Sequence, residues 1–319
     1  MSTPPAARRL LVVMDPIAGI KPKKDTTLAL MLAAQEAGWT LHCADTGALR
    51  VHGAEPRIDA APVTVRDDER DWFTLAPTED LALADFPLIL MRKDPPFDQE
   101  YIYATYWLER AQAAGSRVVN APRSLRDCNE KGFITWFPNL IAPTLIARDP
   151  EALRAFHAEH GEIVLKPLDG MGGHGVFVIG ADGRNLNAVI DALGDGGRRT
   201  IMAQRYLPAI ASGDKRILMI DGEPIDHVLA RIPAEGETRG NLAAGGRGVV
   251  QPLSATDRRI AEAVGPELRA RGIVFAGLDV IGEALTEINI TSPTCLREIQ
   301  RETGQDIAAR AIAAMTDGL

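Results

Sequence analysis

Gly277-Leu-Asp279-Val-Ile-Gly282-Glu-Ala-Leu-Thr-Glu287-Ile-Asn289-Ile290 reads as two short strands joined by a tight turn. A three-residue turn, Gly282 to Ala284, sets Asp279 opposite Glu287, with Asn289 following on the same face. Leu278, Val280, Ile288 and Ile290 then line the other face and are expected in the core. Two carboxylates and an amide are hard oxygen donors of the kind that hold Mg²⁺, which keeps further sites for waters and nucleotide phosphates. The plainer alternative is a hairpin whose polar side faces water, and a two-residue turn would also put Asp279 on the wrong face. The rest of the chain has to decide between these readings.

Upstream, Glu162-Ile-Val-Leu-Lys166-Pro-Leu-Asp-Gly170-Met171-Gly172-Gly173-His-Gly175-Val-Phe-Val-Ile179 runs strand, glycine-rich loop, strand. No helix follows the loop, which excludes a Walker A loop and the dinucleotide fingerprint. A glycine flap able to fold its amides over phosphates remains, with Lys166 aimed at them, beside the plainer reading of a hairpin with an exposed lysine. Asp127 to Phe133 is expected to open a helix with Ser124 as its N-cap, carrying a second lysine, Lys131. Thr200 to Leu207 reads as a strand ending at Pro208, able to offer Gln204, Tyr206 and Leu207 to an adenine edge. Asp214 and Arg216 lead the next apolar strand. They suit a ribose hydroxyl and an acyl or phosphoryl group, and suit a surface strand start equally well. Arg231 to Gly248 carries five glycines and the arginines Arg231, Arg239 and Arg247, which predicts a mobile lid over the site.

The N-terminal part alternates differently. Strands at Leu10–Met14, Thr40–Ala44, Leu88–Met91 and Arg117–Asn120 flank helices at Thr26–Ala37 and 99–114, the pattern of a mainly parallel sheet covered on both faces. Ligands of such sheets gather at the C-terminal strand ends, here Asp15 and the loop Arg92 to Asp98. Pro56 to Asp85 is acidic and weakly patterned, and is read as loop with at most one strand. A boundary near Ala121-Pro122 divides the chain.

The 319 residues are 46% hydrophobic and 24% charged, ordinary for a globular protein of two or three domains. Net charge is −8 with scattered basic residues, so the footprint of a nucleic-acid partner is missing. No apolar run reaches the ~20 residues of a membrane helix, and Met1 to Arg9 reads as a frayed leader rather than a secretion signal. Cys43, Cys128 and Cys295 are widely spaced and odd in number, which points to a reducing compartment, the cytoplasm. His157 and His160 have no further ligand beside them and are expected on a solvated helix face.

In this order the motifs resemble the ATP-grasp ligases, and more closely the bacterial glutathione synthetase family, over nearly the whole chain. Met14-Asp-Pro-Ile17, Met91-Arg-Lys-Asp-Pro-Pro-Phe-Asp98, Arg126-Asp-Cys-Asn-Glu-Lys131 and Lys166-Pro-Leu-Asp-Gly-Met-Gly-Gly173 carry the resemblance. Glu237-Thr-Arg-Gly-Asn-Leu-Ala-Ala-Gly-Gly-Arg247 and Thr286-Glu-Ile-Asn-Ile-Thr-Ser-Pro-Thr294 complete it. It implies an N-terminal α/β domain over residues 1–122 and a two-lobed ATP-grasp fold, its lobes at 123–203 and 204–319. It implies Lys131 and Lys166 on the nucleotide phosphates under Gly170, Met171, Gly172 and Gly173, with Gln204, Tyr206 and Leu207 on adenine and Asp214 on ribose. Asp279, Glu287 and Asn289 would hold Mg²⁺, replaceable by Mn²⁺. Arg216 would face the acyl phosphate, and Arg231 and Arg239 would act from the lid. The implied reaction joins γ-glutamylcysteine and glycine with ATP, in a homotetramer.

Overall fold

The computed structural model describes residues 8–237, 240 and 245–319. The N-terminal sheet contains β1 (Arg9–Val13), β2 (Thr40–Ala44), β3 (Leu49–His52), β4 (Glu55–Val65), β5 (Phe73–Leu75), β6 (Glu79–Ala82), β7 (Leu88–Met91) and β8 (Arg117–Val119). Its spine runs β3-β4-β2-β1-β7-β8, parallel from β2 through β8 and antiparallel at β4. Alternation along β1 divides its burial: Leu10 and Val12 pack with α1 (Thr26–Glu36), Leu11 and Val13 with α2 (Gln99–Ala113). Both helices are N-capped by aspartates, Asp25 and Asp98.

Two expectations fail here. The segment Pro56 to Asp85 is no loop, because β4 is the longest strand of the sheet and pairs with β2, β3, β5 and β6. Ile58, Ala60, Val63 and Val65 are buried along it, a pattern that Pro56, Pro62 and the acidic residues obscure. Ser124 is not an N-cap either: α3 spans Pro122–Asp127, with proline at its first position, and ends before Lys131. Ser124 instead donates its hydroxyl to the carbonyl of Arg271.

Two antiparallel sheets follow. The first has the order β11-β10-β12-β9, from β9 (Thr144–Ala147), β10 (Ile163–Pro167), β11 (Phe177–Ile179) and β12 (Ile201–Arg205). Helices α4 (Pro150–His160) and α5 (Leu186–Gly194) bury Leu153, Val189 and Ile190 against it. The expected solvated histidine pair is half wrong, since His157 is buried and its Nε2 lies 2.9 Å from the Gly180 carbonyl.

The second sheet runs β15-β14-β13-β16-β17, from β13 (Asp214–Ile220), β14 (Glu223–Ile232), β15 (Arg247–Pro252), β16 (Phe275–Ile281) and β17 (Ala284–Asn289). Helix α6 (Ala255–Ala270) covers one face through Ile260, Val264 and Leu268. Helices α7 (Leu296–Thr303) and α8 (Ile307–Thr316) join this sheet to α1. No described helix is long and apolar enough to cross a membrane.

Asn120, just past β8, locks the first sheet to the last. Its buried side chain accepts from the amides of Val274 (2.9 Å) and Phe275 (3.0 Å) and donates to the carbonyls of Phe275 and Ile290, both at 2.7 Å. An Asn120→Ala chain leaves buried backbone groups unpaired, and urea unfolding is expected to show a loss of about 3 kcal/mol or more.

Candidate active site

One face of the last sheet gathers the charges that the sequence singles out. Asp214 and Arg216 are two residues apart on β13 and therefore share a face. Across the ladder, Arg231 of β14 pairs with Asp214, and Asp279 of β16 pairs with Arg216. Arg216 holds Asp279 with two hydrogen bonds, Nε to Oδ1 at 2.5 Å and Nη2 to Oδ2 at 3.0 Å. Arg231 bridges both acids, 2.6 Å to Asp214 Oδ2 and 2.9 Å to Asp279 Oδ2. All four are buried, so these are strand residues packed in the sheet. Arg231 thus belongs to β14 and not to the expected lid, whose chain begins only after Ile232. Arg239 lies outside the described residues.

The hairpin reaches the expected pairing by an unexpected route. Ile281 opposes Ala284 across a two-residue turn, which by itself would have turned Asp279 away. An extra residue, Thr286, bulges from β17 and restores Asp279 opposite Glu287 and Gly277 opposite Asn289. The Thr286 hydroxyl donates to the Asp279 carbonyl at 3.1 Å and pins the bulge. Leu278, Val280, Ile288 and Ile290 are fully buried on the other face, as expected.

Both lysines converge on this hairpin. Lys131 Nζ lies 2.6 Å from the Gly170 carbonyl and 3.4 Å from Glu287 Oε1. Lys166, on β10, donates to Gln204 Oε1 at 3.2 Å, while Gln204 donates to Thr144 Oγ1 at 3.0 Å. Burial pulls the Lys166 ammonium below the usual lysine range, and the neighbouring Lys131 charge pulls the same way, against Glu287. Burial likewise opposes ionisation of Asp279, but the Arg216 and Arg231 guanidiniums outweigh it and hold that carboxyl well below the ordinary range. Asp214 moves oppositely, pushed up to about 6 by burial despite Arg231. Its Oδ1 is buried and has no hydrogen-bond partner among the described residues.

Two cavities meet here. The first lies between the antiparallel sheets, floored by Lys131, Lys166 and Asp214 and walled by Val164, Val178, Ile210 and Ile281. Gln204, Tyr206 and Leu207 line it, as do Gly170 to Gly173. The second extends toward the N-terminal domain and holds Arg216, Arg231, Asn289, Asp15 and Asp94. Glu287 and Gly170 to Gly172 belong to both. Glu287 at the junction, with Asp279 lining the first cavity and Asn289 the second, offers a hard oxygen donor set suited to a divalent cation and not to a thiophilic one.

The N-terminal candidates divide. Asp15 pairs with Lys93 and accepts from the Asp94 amide at the cavity mouth. Arg92 is buried elsewhere, donating to Thr27 Oγ1 (3.1 Å) and the Pro293 carbonyl (3.0 Å). Sequence reasoning misses Glu130. Its buried carboxylate accepts from the Ile290 amide at 2.7 Å and from the Thr291 amide and hydroxyl, both at 2.9 Å. Its own carbonyl accepts from Ile288. These contacts tie Lys131 to the end of β17, 160 residues away in sequence, and no local signal announces them.

Residues 9–126 match the family model for the prokaryotic glutathione synthetase N-terminal domain, and 130–304 that for its ATP-grasp domain. Glutathione synthetase of Yersinia pestis is 54% identical over 292 residues, 92% of each chain. That of Pseudomonas aeruginosa is 56% identical over 293 residues, again 92% of each. Among solved structures, D-cycloserine synthetase DcsG superposes with a TM-score of 0.67 at 16% identity, over 96% of this chain and 98% of its own. A RimK domain ATP-grasp protein from Sphaerobacter thermophilus gives 0.63 at 16% identity, covering 95% and 97%. These two structures are alike in fold.

Removing one partner from the buried charge cluster strands the others. Arg231→Met is expected to lower unfolding free energy by about 3 kcal/mol near pH 7. Asp279 titrates lower in the folded chain, so the stability it contributes is complete above its unfolded pKa, about 4, and is lost below it. The native-minus-variant difference in urea unfolding should therefore shrink on acidification through that range.

Proposed function

The chain belongs to the prokaryotic glutathione synthetase family, and we propose specific roles for the residues of the cleft in its reaction. The reaction is the ATP-dependent joining of γ-glutamylcysteine and glycine into glutathione, with ADP and phosphate released. The observation that carries the assignment is the junction of the two cavities at Glu287 and Gly170 to Gly172. A nucleotide in one cavity and a dipeptide in the other bring γ-phosphate and carboxylate together only there.

Both groups are anionic, so their approach needs positive charge fixed in advance. Lys131 and Lys166 face the phosphates, and Arg216 and Arg231 face the carboxylate from the second cavity. The apolar walls of the first cavity suit a purine, with Gln204, Tyr206 and Leu207 at its edge. The Tyr206 amide already donates to the Glu162 carbonyl, and the Gln204 side chain holds Lys166. The open Oδ1 of Asp214 suits a ribose hydroxyl. Asp279, Glu287 and Asn289 would hold Mg²⁺, or Mn²⁺ in its place, which supplies charge neutralisation between phosphate and carboxylate. Arg239, outside the described residues, would act on the same reaction. The acyl phosphate must meet the glycine amine before water does, which is the reason for a glycine flap over the junction.

Domain limits of 1–122, 123–203 and 204–319 remain the proposed division, with one adjustment. Every strand partner of β12 lies in the four-stranded sheet, so that lobe is drawn to Arg205. Three buried free cysteines suit a cytoplasmic setting. A homotetramer follows from the family resemblance and is tested by light scattering.

Phosphate release by the purified chain with ATP and Mg²⁺ should require γ-glutamylcysteine and glycine together, and release with another acid and amine pair, such as D-alanine alone, would overturn the substrate assignment. Glu287→Ala should abolish turnover, at least a hundredfold or about 3 kcal/mol in the barrier, with an unchanged circular dichroism spectrum. Near-normal turnover of that folded variant would sink the metal assignment.

A further inference from the structure

The second cavity runs outward from Arg216 and Arg231 to Lys21, Lys24 and Glu298. Glu298 is the third residue of α7, and its Oε2 is buried with no hydrogen-bond donor among the described residues. A buried carboxylate oxygen without a donor is costly unless a ligand supplies one. Lys24 stands close enough for its charge to favour the ionised form of Glu298 against burial. Neither Lys21 nor Lys24 closes an ion pair of its own among the described residues. Of the other acids lining this cavity, Asp25 accepts from the Leu28 amide at 2.6 Å and Asp15 pairs with Lys93, while Asp94 closes no ion pair among the described residues.

A free cation beside a free anion, far from the reacting centre, is what an α-amino-acid zwitterion requires, since its ammonium and carboxylate share one carbon. We propose that Glu298 and Lys24 recognise the α-ammonium and α-carboxylate of the γ-glutamyl end of the dipeptide. This assignment rests on the reaction set out above. The dipeptide is then gripped at both ends: its reacting carboxylate lies at the arginines, and its zwitterion lies at α7 and the turn before α1. Discrimination against ordinary peptides follows, because an α-linked glutamyl residue cannot present both charges on one carbon.

The test pairs substrate changes with side-chain changes. Glutarylcysteine lacks the α-ammonium, and γ-aminobutyrylcysteine lacks the α-carboxylate. With the native chain, kcat/KM for each analogue is expected about thirtyfold below that for γ-glutamylcysteine. Glu298→Gln should lose a similar factor on γ-glutamylcysteine yet leave glutarylcysteine within about twofold of the native rate. Lys24→Met should do the same for γ-aminobutyrylcysteine, and the KM for ATP should not move in either variant. Equal losses on all three substrates would show a structural role and overturn the proposal, as would no loss on any. Failure of the native chain to use γ-glutamylcysteine would overturn both this assignment and the reaction it rests on.

Discussion

The cluster of Asp214, Arg216, Arg231 and Asp279 is the interaction on which the rest of the structure depends. Each charge costs several kcal/mol to bury alone, and burial is tolerated only while every partner stays in place. That requirement fixes the registers of β13, β14 and β16 more tightly than apolar packing would. It also dictates where side chains must be absent. A Cβ on Gly277 would stand 2.7 Å from Arg216 Cδ, and one on Gly240 would stand 2.4 Å from the Arg231 carbonyl oxygen. The glycine of the connecting segment therefore seats against the cluster because it has no side chain.

The cluster faces both cavities, and this couples stability to chemistry. Asp279 is held ionised by the two arginines that also face the second cavity, so the field that anchors the sheet is the field available to a carboxylate arriving there. Lys131 and Glu287 carry the same arrangement across the junction, and Glu130 fastens Lys131 to the end of β17. The preorganised charge proposed above to lower a phosphoryl-transfer barrier is thus assembled during folding.

Much of this was legible in the sequence because it is written in local periodicity. Short apolar runs mark β1, β7 and β13, and glycine spacing marks the flap between β10 and β11. Other features escaped because their causes are distant. Glu130 and Asn120 look like ordinary polar residues until chain 154 or more residues away meets them. Glycines following Arg231 suggest a lid, whereas it sits on a strand between Asp214, 17 residues before it, and Gly248, 17 residues after it. Prolines and acids hid the alternation of β4, and the Gly180 carbonyl that buries His157 comes from another element.

The bulge at Thr286 has a consequence for how such a chain can change over generations. Asp279 and Glu287 share a face only because an even turn and one surplus residue offset each other. Losing a single residue from either place reverses the outlook of every side chain beyond it, sending the apolar set toward the cleft and the acids into the core. Length variation in this hairpin is therefore closed to single steps. Two compensating changes, one at the turn and one at the bulge, would have to arise together, so the hairpin is expected to drift in composition far more readily than in length.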